Sequence, residues 1–346
     1  MERLVFFYNQ GHEAHYESGH PERPERVEVI VAALEENDFW GRFQKSSSIE
    51  IPAAVLTAIH TPEYLDMLEE TCRRGVHFDA DTYTTLASWD LAHSAAGGAA
   101  AVARSVWQRE AERGFALTRP PGHHATADRA MGFCLLNNVA LAAEDLIQEE
   151  GAKKLAIIDL DLHHGNGTQD IFYSRGDVLY VSTHQYPHYP GSGWINETGS
   201  GAGIMATANL PMPPYSGDIA FNRGMDEYIL PILDRFQPEM VLVSYGFDTH
   251  FDDPLGNLQL TSKGYGELIQ KLVNWADDNC QGRIALFLEG GYDLQAAKAC
   301  SLAVTAALLG EQPPERYDQD VSQDFEGEPE VFISILQQAK QLWELE

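Results

Sequence analysis

Positive charge is scarce in this sequence. Lys and Arg together number 23 against 52 Asp and Glu, which gives a formal net charge of −29. An acidic surface repels phosphate backbones, so the composition argues against direct binding of nucleic acid. The same charge would attract amines or basic peptides, although an acidic surface can also serve solubility alone.

Cysteines and long apolar runs are also rare. The four cysteines are far apart and form no C-x-x-C pair, so neither a disulfide framework nor a structural zinc cluster is indicated. The first residues lack the apolar core and cleavage signal of a secretory peptide, and no apolar run approaches the length of a membrane span. We therefore expect a soluble, cytoplasmic protein that does not associate with membranes.

Short runs rich in Val, Ile, Leu and Phe alternate with longer stretches of helical spacing. The runs typical of strands are residues 4–8, 115–118, 155–158, 178–182, 240–244 and 284–288. Helical spacing extends over residues 130–148, 219–236, 264–278 and 294–309. This alternation predicts a single-domain α/β fold in which a mostly parallel central sheet is flanked by helices.

The C-terminal part of the chain differs in composition. Residues 311–330 contain eight acidic residues, one basic residue and three prolines, which is typical of an extended surface connection. Helical spacing returns over residues 331–345, and a terminal helix docked on the domain is favoured over a partner-binding helix. We expect one domain over residues 1–310, with an acidic connection and a helix packed on the same domain over residues 311–346.

Ionisable residues directly follow five of the predicted strands. In an open parallel sheet, ligands bind outside the carboxyl ends of the strands, so these residues are candidates for a site. They are His123 and His124, the stretch 159–166, Thr183 and His184, Asp248, and Glu289 with Tyr292. The fold therefore predicts that five loops deliver polar groups to one edge of the sheet.

Asp161, His163 and Asp248 have the chemistry to bind one divalent ion. One imidazole and two carboxylates leave coordination positions open for water and substrate, as in a catalytic rather than a closed structural site. Acidic residues and histidines also cap strand ends without any metal, so the Asp161-x-His163 pair alone does not separate the two interpretations. The five-strand arrangement favours the metal site.

Three further residues have the chemistry to act on a substrate beside such an ion. His123 and His124 follow a Pro-Pro-Gly sequence that restricts the backbone, and histidine is the natural general acid and base near neutral pH. Tyr292 follows a Gly-Gly pair and could donate to a developing oxyanion. A satisfied loop pair and a packing residue are the structural alternatives. No phosphate-binding or dinucleotide glycine motif follows the strands.

These blocks resemble the histone deacetylase and acetylpolyamine amidohydrolase family, in particular the class II and bacterial histone deacetylase-like amidohydrolases. The matching blocks are HPERPER at 20–26, RPPGHH at 119–124, GFC at 132–134, DLDLHHGNGT at 159–168, PGSG at 190–193, DT at 248–249 with DPL at 253–255, and EGGY at 289–292. The resemblance extends to about residue 310. It implies a zinc-dependent amidohydrolase that hydrolyses the amide of acetylated amines, with residues 1–310 as the deacetylase catalytic domain.

The resemblance implies roles for the metal ligands and the histidine pair. Asp161, His163 and Asp248 would hold one catalytic zinc ion, which polarises the acetyl carbonyl and lowers the pKa of its bound water. His124 would take the proton of the attacking water and pass one to the departing amine. His123 would stabilise the charge that develops.

Three more roles follow from the same resemblance. Asp159 would pair with His123 and favour its protonated form, whereas Asn166 would offer His124 a neutral partner. Tyr292 would donate to the oxyanion and complete the site for a tetrahedral intermediate.

A structural monovalent-cation site, which relatives fill with potassium, is implied as well. Its ligands would be the side chains of Asp159 and Ser182 and the backbone carbonyls of Asp159, Asp161, His163 and Thr183. The matching positions are present in this sequence.

The resemblance also implies a narrow channel for a linear amine chain. Phe133 and Tyr189 would form its walls, and Gly132 would give it room. Tyr189 replaces the usual phenylalanine, which makes the channel more polar and leaves the acyl preference open.

Leu255 stands where a polyamine-selective relative has a glutamate gatekeeper, and an insertion that encloses bacterial acetylpolyamine enzymes is missing. Both points favour acetyl-lysine in a peptide or another accessible acetylated amine, whereas the negative charge would suit a polyamine equally well.

Two other functions are alternatives. An arginase-like ureohydrolase shares this fold but needs two manganese ions held by an Asp-x-His-x-Asp pattern, whose last position is Gly165 here. A non-catalytic module that binds acylated amines would be expected to lack the tyrosine, the histidine pair or a metal ligand, and this sequence has all of them.

Overall fold

A single eight-stranded sheet forms the centre of the computed structural model, which describes residues 2–314 and 327–346. The strands are β1 (Glu2–Tyr8), β2 (Phe43–Lys45), β3 (Ala111–Leu117), β4 (Leu155–Asp159), β5 (Val178–Gln185), β6 (Thr207–Met212), β7 (Met240–Tyr245) and β8 (Ile284–Leu288). Their order is β2-β1-β3-β8-β7-β4-β5-β6, and every neighbouring pair is parallel. The predicted α/β fold with a parallel central sheet is confirmed.

The six predicted strands are the six interior strands, and the two edge strands were not predicted. β2 has only three residues, and β6 contains Asn209 and Pro211, which interrupt any apolar run. A proline is tolerated in an edge strand because the N–H that it lacks has no partner to lose there.

Helices cover both faces of this sheet. They are α1 (Glu25–Glu36), α2 (Ala53–Ile59), α3 (Pro62–Arg74), α4 (Ser88–Trp107), α5 (Asn138–Gln148), α6 (Asn166–Phe172), α7 (Asp218–Gly224), α8 (Leu230–Phe236), α9 (Ser262–Asn279), α10 (Leu294–Leu309) and α11 (Glu330–Leu342). In β4, Ala156 and Ile158 belong to one buried apolar cluster, and Leu155 and Ile157 belong to the other. Burial on both faces explains why the interior strands are almost uniformly apolar.

Two predicted helices differ from the structure. The helix predicted over residues 130–148 begins only at Asn138, where the side chain of Asn137 accepts the N–H of Ala140 at 3.0 Å as the cap. Gly132 and Phe133 have φ values of 57° and 68°, which a right-handed helix excludes. The helix predicted over residues 219–236 is divided into α7 and α8 by a π-helical turn at Met225–Ile229.

The C-terminal helix α11 lies on one apolar cluster of the sheet. Phe332, Leu336 and Ala339 are buried in that cluster. The guanidinium of Arg235 donates to the carbonyl oxygens of Trp343 and Glu344. Residues 315–326, which form most of the predicted acidic connection, lie outside the described residues. Among the helices that the structure describes, none has the length and apolar character needed to cross a membrane.

The register of the sheet determines which strand ends lie level with one another at the candidate site. Asp159 at the end of β4 is level with Ser182 of β5 and Ser244 of β7, and Tyr245 of β7 is level with Leu288 of β8. The loops that follow these four neighbouring strands therefore begin side by side at one edge.

Candidate active site

Asp161, His163 and Asp248 converge where β4 and β7 end. One possible ligand atom from each of the three lies within 4.8 Å of the others, and all three residues are buried. Nδ1 of His163 lies 3.2 Å from Oδ1 of Asp161 and 3.1 Å from Oδ2 of Asp248. The structure thus brings the three predicted metal ligands into one cluster that could hold a divalent cation.

Backbone N–H groups orient the two carboxylates of this cluster. Gly290 donates to Oδ2 of Asp161 at 2.8 Å, and Leu162 donates to Oδ1 of Asp248 at 3.1 Å. A Cβ atom on Gly290 would lie 2.2 Å from Oδ2 of Asp248, and one on Gly246 would lie 2.0 Å from Oδ2 of Asp161. The ligands are therefore packed against two glycines where no side chain fits.

The electrostatics of the cluster fit a bound cation. Burial opposes a charge on His163, but the carboxylates of Asp161 and Asp248 outweigh that effect and raise its pKa to about 9. Two buried carboxylates at this separation favour a positive charge between them. One imidazole nitrogen with two carboxylate oxygens is a donor set that zinc accepts with coordination positions left open.

His123 and His124 follow β3, and they have different partners. Nδ1 of His123 lies 3.1 Å from Oδ2 of Asp159, and Nδ1 of His124 lies 2.8 Å from Oδ1 of Asn166. Burial disfavours a charged His123, yet Asp159 and Asp161 outweigh it and raise the pKa of His123 to about 10. Burial, together with the charge of His123, lowers the pKa of His124 well below its ordinary value. The surroundings of the pair therefore favour a positive charge on His123 and a neutral His124.

Glu289 holds the backbone of the histidine pair. Its Oε2 accepts the N–H of Gly122 at 2.7 Å and that of His123 at 3.1 Å, while the hydroxyl of Ser244 donates to Oε1 at 2.9 Å. The sequence marks Glu289 as a polar residue after a strand and as part of the EGGY block, without a role of its own. Its contact with the β3 loop depends on the strand order, in which β8 lies beside β3.

Tyr292 follows β8 and lies between a channel residue and a buried arginine. Its ring is edge-on to Phe133 with a centroid separation of 5.7 Å, and the guanidinium carbon of Arg26 lies 4.7 Å from the ring centroid. Arg26 also donates to the carbonyl oxygens of Glu289 and Gly291, each at 2.6 Å. The sequence places Arg26 in a matching block without a role, because its partners lie more than 260 positions away.

The positions of the predicted potassium site adjoin the cluster of Asp161, His163 and Asp248. Asp159 is buried and accepts the N–H of Asp161 at 3.2 Å, and Ser182 lies beside it on β5. Within the described ranges, no hydrogen bond ends on the carbonyl oxygens of Asp161 or His163. Such buried, unused carbonyl oxygens beside Thr183 of β5 form an oxygen-rich environment that could hold a hard cation.

A cavity of about 320 Å³ opens onto this site. The four predicted channel residues line it together with His124, His163 and Tyr292; they are Gly132, Phe133, Tyr189 and Leu255. The Tyr189 ring lies edge-on to His124 with a centroid separation of 5.2 Å. One cavity therefore brings the predicted channel residues together with His163 of the candidate metal site and His124 of the histidine pair.

Four other residues that line this cavity were not predicted. Asp79, Asp81 and Arg129 are exposed, and Met131 is partly exposed. Asp79 and Asp81 lie on a loop that follows no predicted strand, and Arg129 and Met131 lie beyond the histidine pair in the long segment between β3 and α5, so the position of strand ends did not identify them. They give the mouth of the cavity charges of both signs.

Comparisons with known proteins agree with this geometry. The family model of the histone deacetylase domain matches residues 20–308. A probable deacetylase of Archaeoglobus fulgidus is 40% identical over 294 residues, which cover 84% of this chain and 82% of that protein. A histone deacetylase-like amidohydrolase of Pseudomonas aeruginosa is 34% identical over 295 residues, covering 85% and 78%.

A solved structure is similar over nearly the whole chain. The crystal structure of the HDA15 HD domain matches with a TM-score of 0.88 and 34% sequence identity, covering 99% of this chain and 94% of that one. These matches argue against the arginase-like and non-catalytic alternatives. The chain belongs to the histone deacetylase family and is a hydrolytic deacetylase.

Proposed function

We propose that this protein is a zinc-dependent deacetylase whose main substrate is acetyl-lysine in peptides or proteins. The observation that carries the proposal is the cluster of Asp161, His163 and Asp248 in contact with a cavity that His124 and Tyr292 also line. When bound by these three residues, zinc supplies Lewis-acid activation of the acetyl carbonyl and of water. The remaining steps belong to side chains of this chain.

His124 is the proposed general base and acid. Its Nδ1 proton is donated to Asn166, so Nε2 is free to accept a proton. Because burial and the charge of His123 keep the pKa of His124 low, a proton that it accepts is readily passed on to the departing amine. His123, held as a cation by Asp159, is proposed to stabilise the negative charge that develops as water adds to the amide carbon.

Tyr292 is the proposed hydrogen-bond donor to the oxyanion. Burial raises the pKa of its phenol well above the ordinary value, so the proton is retained throughout the working pH range. A protonated phenol in a buried site is a preorganised donor, which is worth more than the same group in water.

The channel residues support an acetylated peptide as the substrate. Leu255 is apolar and supplies no carboxylate for a second amine, and Tyr189 is 43% exposed at the open cavity. A specific observation favours acetylated polyamines as the second candidate: Asp79 and Asp81 line the same cavity and are exposed, so they could bind a distal ammonium group.

Potassium and the domain limits complete the proposal. We propose that a structural potassium ion is held by the side chains of Asp159 and Ser182 and by the backbone carbonyl oxygens of Asp159, Asp161, His163 and Thr183. Carbonyl oxygens are ligands that hard cations accept, and those of Asp161 and His163 accept no hydrogen bond within the described residues. We also propose residues 1–310 as the catalytic unit, with the terminal helix as a part packed on it.

A comparison of substrates tests the proposed function. We expect kcat/KM for acetyl-lysine peptides to exceed that for acetylspermidine and acetylputrescine by at least about tenfold, since one pocket contact accounts for about that much discrimination. A chelator should abolish turnover, and added zinc should restore it. Turnover of the small amines alone would refute the substrate assignment, and activity that is insensitive to chelation would refute the metal assignment.

Variants at Leu255 sharpen this comparison. Leu255→Glu should raise the rate on acetylspermidine relative to the peptide, because the new carboxylate can pair with the distal ammonium. Leu255→Gln has nearly the same shape without the charge and serves as the matched control. Equal effects of both variants would show that charge at this position does not select the substrate.

A further inference from the structure

The carboxylate of Asp253 connects two parts of the pocket. Asp253 lies in the loop after β7 and is 4% exposed. Its Oδ2 accepts the N–H of Tyr292 at 2.6 Å and that of Asp293 at 3.1 Å, and its Oδ1 accepts the N–H of Leu255 at 3.0 Å. One buried side chain thus binds the backbone of the proposed oxyanion donor and of a channel residue.

The peptide group between Gly291 and Tyr292 is held at both of its ends. Nε of Arg26 donates to its carbonyl oxygen at 2.6 Å, and Asp253 accepts its N–H at 2.6 Å. The partners are the buried guanidinium of Arg26 and the buried carboxyl group of Asp253, and both hydrogen bonds are short. This peptide plane therefore has little freedom to rotate.

Such a clamp matters because the preceding backbone is glycine. Gly291 has φ of 109°, a conformation outside the range of other residues, and Gly290 precedes it. A Gly-Gly segment does not by itself hold the phenol in one place, and a displacement of about 1 Å at a catalytic group can cost on the order of a hundredfold in rate.

We propose that Asp253 is the positioning residue of Tyr292, and that it acts by clamping the Gly291–Tyr292 peptide against Arg26. The inference rests on the proposed oxyanion role of Tyr292. Through Leu255, the same carboxylate also sets the distance between the channel and the phenol. Asp253 does not line the cavity, so it acts only through these residues.

A double-mutant cycle distinguishes positioning from general structural support. Asp253→Asn keeps the shape of the side chain, but its NH2 group must face either Leu255 or the two N–H groups of Tyr292 and Asp293, so one set loses its acceptor. We compare wild type, Asp253→Asn, Tyr292→Phe and the double variant for kcat, KM, zinc content and unfolding midpoint. Asp253→Ser, whose hydroxyl can accept one N–H, repeats the cycle if Asp253→Asn does not fold.

The expected result is a kcat effect that depends on the phenol. Asp253→Asn should lower kcat by at least about tenfold with KM within about threefold and zinc content unchanged, because the oxyanion contact is made in the transition state. In the Tyr292→Phe background, the same change should lower kcat by less than about twofold, since coupled residues are not additive.

Asp218→Asn is the matched control. Asp218 is also a buried carboxylate, 5% exposed, and it accepts the N–H and the hydroxyl of Thr261 at 2.8 and 2.7 Å, ahead of α9. Asp218→Asn should lower the unfolding midpoint, and any effect that it has on kcat should be the same in the wild-type and Tyr292→Phe backgrounds.

The experiment distinguishes failure of the Asp253 inference from failure of the proposed role of Tyr292. Equal losses from Asp253→Asn in both backgrounds, or wild-type kcat in Asp253→Asn while Tyr292→Phe is impaired, would overturn this inference alone. Wild-type turnover in Tyr292→Phe would overturn both the oxyanion role and the inference.

Discussion

His124 donates its Nδ1 proton to the amide oxygen of Asn166 across 2.8 Å. An amide oxygen carries no full charge, so the contact selects the tautomer without strongly favouring the imidazolium. Burial and the neighbouring positive charge of His123 keep the pKa of His124 well below its ordinary value. Near neutral pH, His124 therefore presents an unprotonated Nε2, the state that a general base requires.

Asn166→Asp should shift the pH dependence of catalysis. A carboxylate stabilises the imidazolium and raises the pKa of His124, by about one to three units for a close ion pair. Because activity needs neutral His124, the acidic limb of the kcat/KM profile should move to higher pH. Asn279→Asp, which adds the same charge at an exposed position at the end of α9, is the control. An unmoved limb would contradict the assignment of His124 as the base.

Asp248→Ala should lose metal and activity together. Removing one of three ligands leaves Asp161 and His163 too few to retain the ion, and turnover should fall by at least about a thousandfold, because metal activation supplies several kcal/mol. Zinc per chain is measured by atomic emission after dialysis. Asp278→Ala, which removes an exposed carboxylate, is the control. A variant with full zinc content would show that Asp248 is not a ligand.

Tyr292→Phe should keep the metal and lose most turnover. Loss of one oxyanion donor costs about a hundredfold to a thousandfold in kcat. Zinc content and unfolding midpoint should match the wild type, since the ring still packs against Phe133 and Arg26. Tyr228→Phe, at a buried tyrosine remote from the cavity, should leave kcat unchanged.

Gly132→Ala should impair catalysis through His124. The added Cβ would lie 2.3 Å from Cδ2 of His124, so the ring must move. Gly201 is a close control, since its φ of 54° resembles the 57° of Gly132 and nothing lies within 4 Å of its added Cβ. Both variants should lose about 1 kcal/mol of unfolding free energy from backbone strain. Only Gly132→Ala should also lose kcat, by more than about tenfold.

His60 should make stability dependent on pH. Its Nδ1–H donates to the carbonyl of Thr126 at 2.9 Å, and its Nε2 accepts the N–H of Asn137 at 3.0 Å, so the neutral ring satisfies both contacts. Burial lowers the pKa of His60 from 6.5 to about 4. Between these values the unfolded chain binds a proton that the folded chain does not, so the free energy of unfolding falls as pH drops through this window.

The His60 effect can be measured by urea unfolding between pH 4.5 and 7. Its contribution over the whole window is about 3 kcal/mol. His60→Gln should show a flatter dependence on pH, and His77→Gln, at an exposed histidine, should retain the wild-type slope. Parallel curves for wild type and His60→Gln would assign the acid sensitivity to other groups.

The interior of the fold could be predicted from the sequence because both faces of its strands are buried. Edge strands β2 and β6 escaped prediction, since one is very short and the other carries Asn209 and Pro211. Helix α4 is rich in alanine and glycine, so it offers little contrast between an apolar and a polar face. The π-helical turn before α8 has no sequence signal that apolar spacing could detect.

The convergence of Asp161, His163 and Asp248 could be predicted because they follow strands, and the carboxyl ends of parallel strands share one edge. Residues that support the site from a distance could not. Arg26 and Asp253 act through backbone groups of another loop, and a sequence does not reveal which carbonyl or N–H a side chain will meet. The sequence likewise does not reveal that Asp79, Asp81 and Arg129 line the cavity, because the paths of their loops bring them there.

The contacts of Arg26 bear on the order in which parts of the chain fold during synthesis. It is separated from its partners Glu289 and Gly291 by 263 and 265 positions. In a chain emerging from the ribosome, this guanidinium can pair with the carboxylate of Glu22, four positions before it, but its two carbonyl partners are absent until the end of β8 has been synthesised. Closing so long a loop is entropically costly and tends to come late. The Gly291–Tyr292 peptide thus gains its support from Arg26 only after the first helix and the last strand have met.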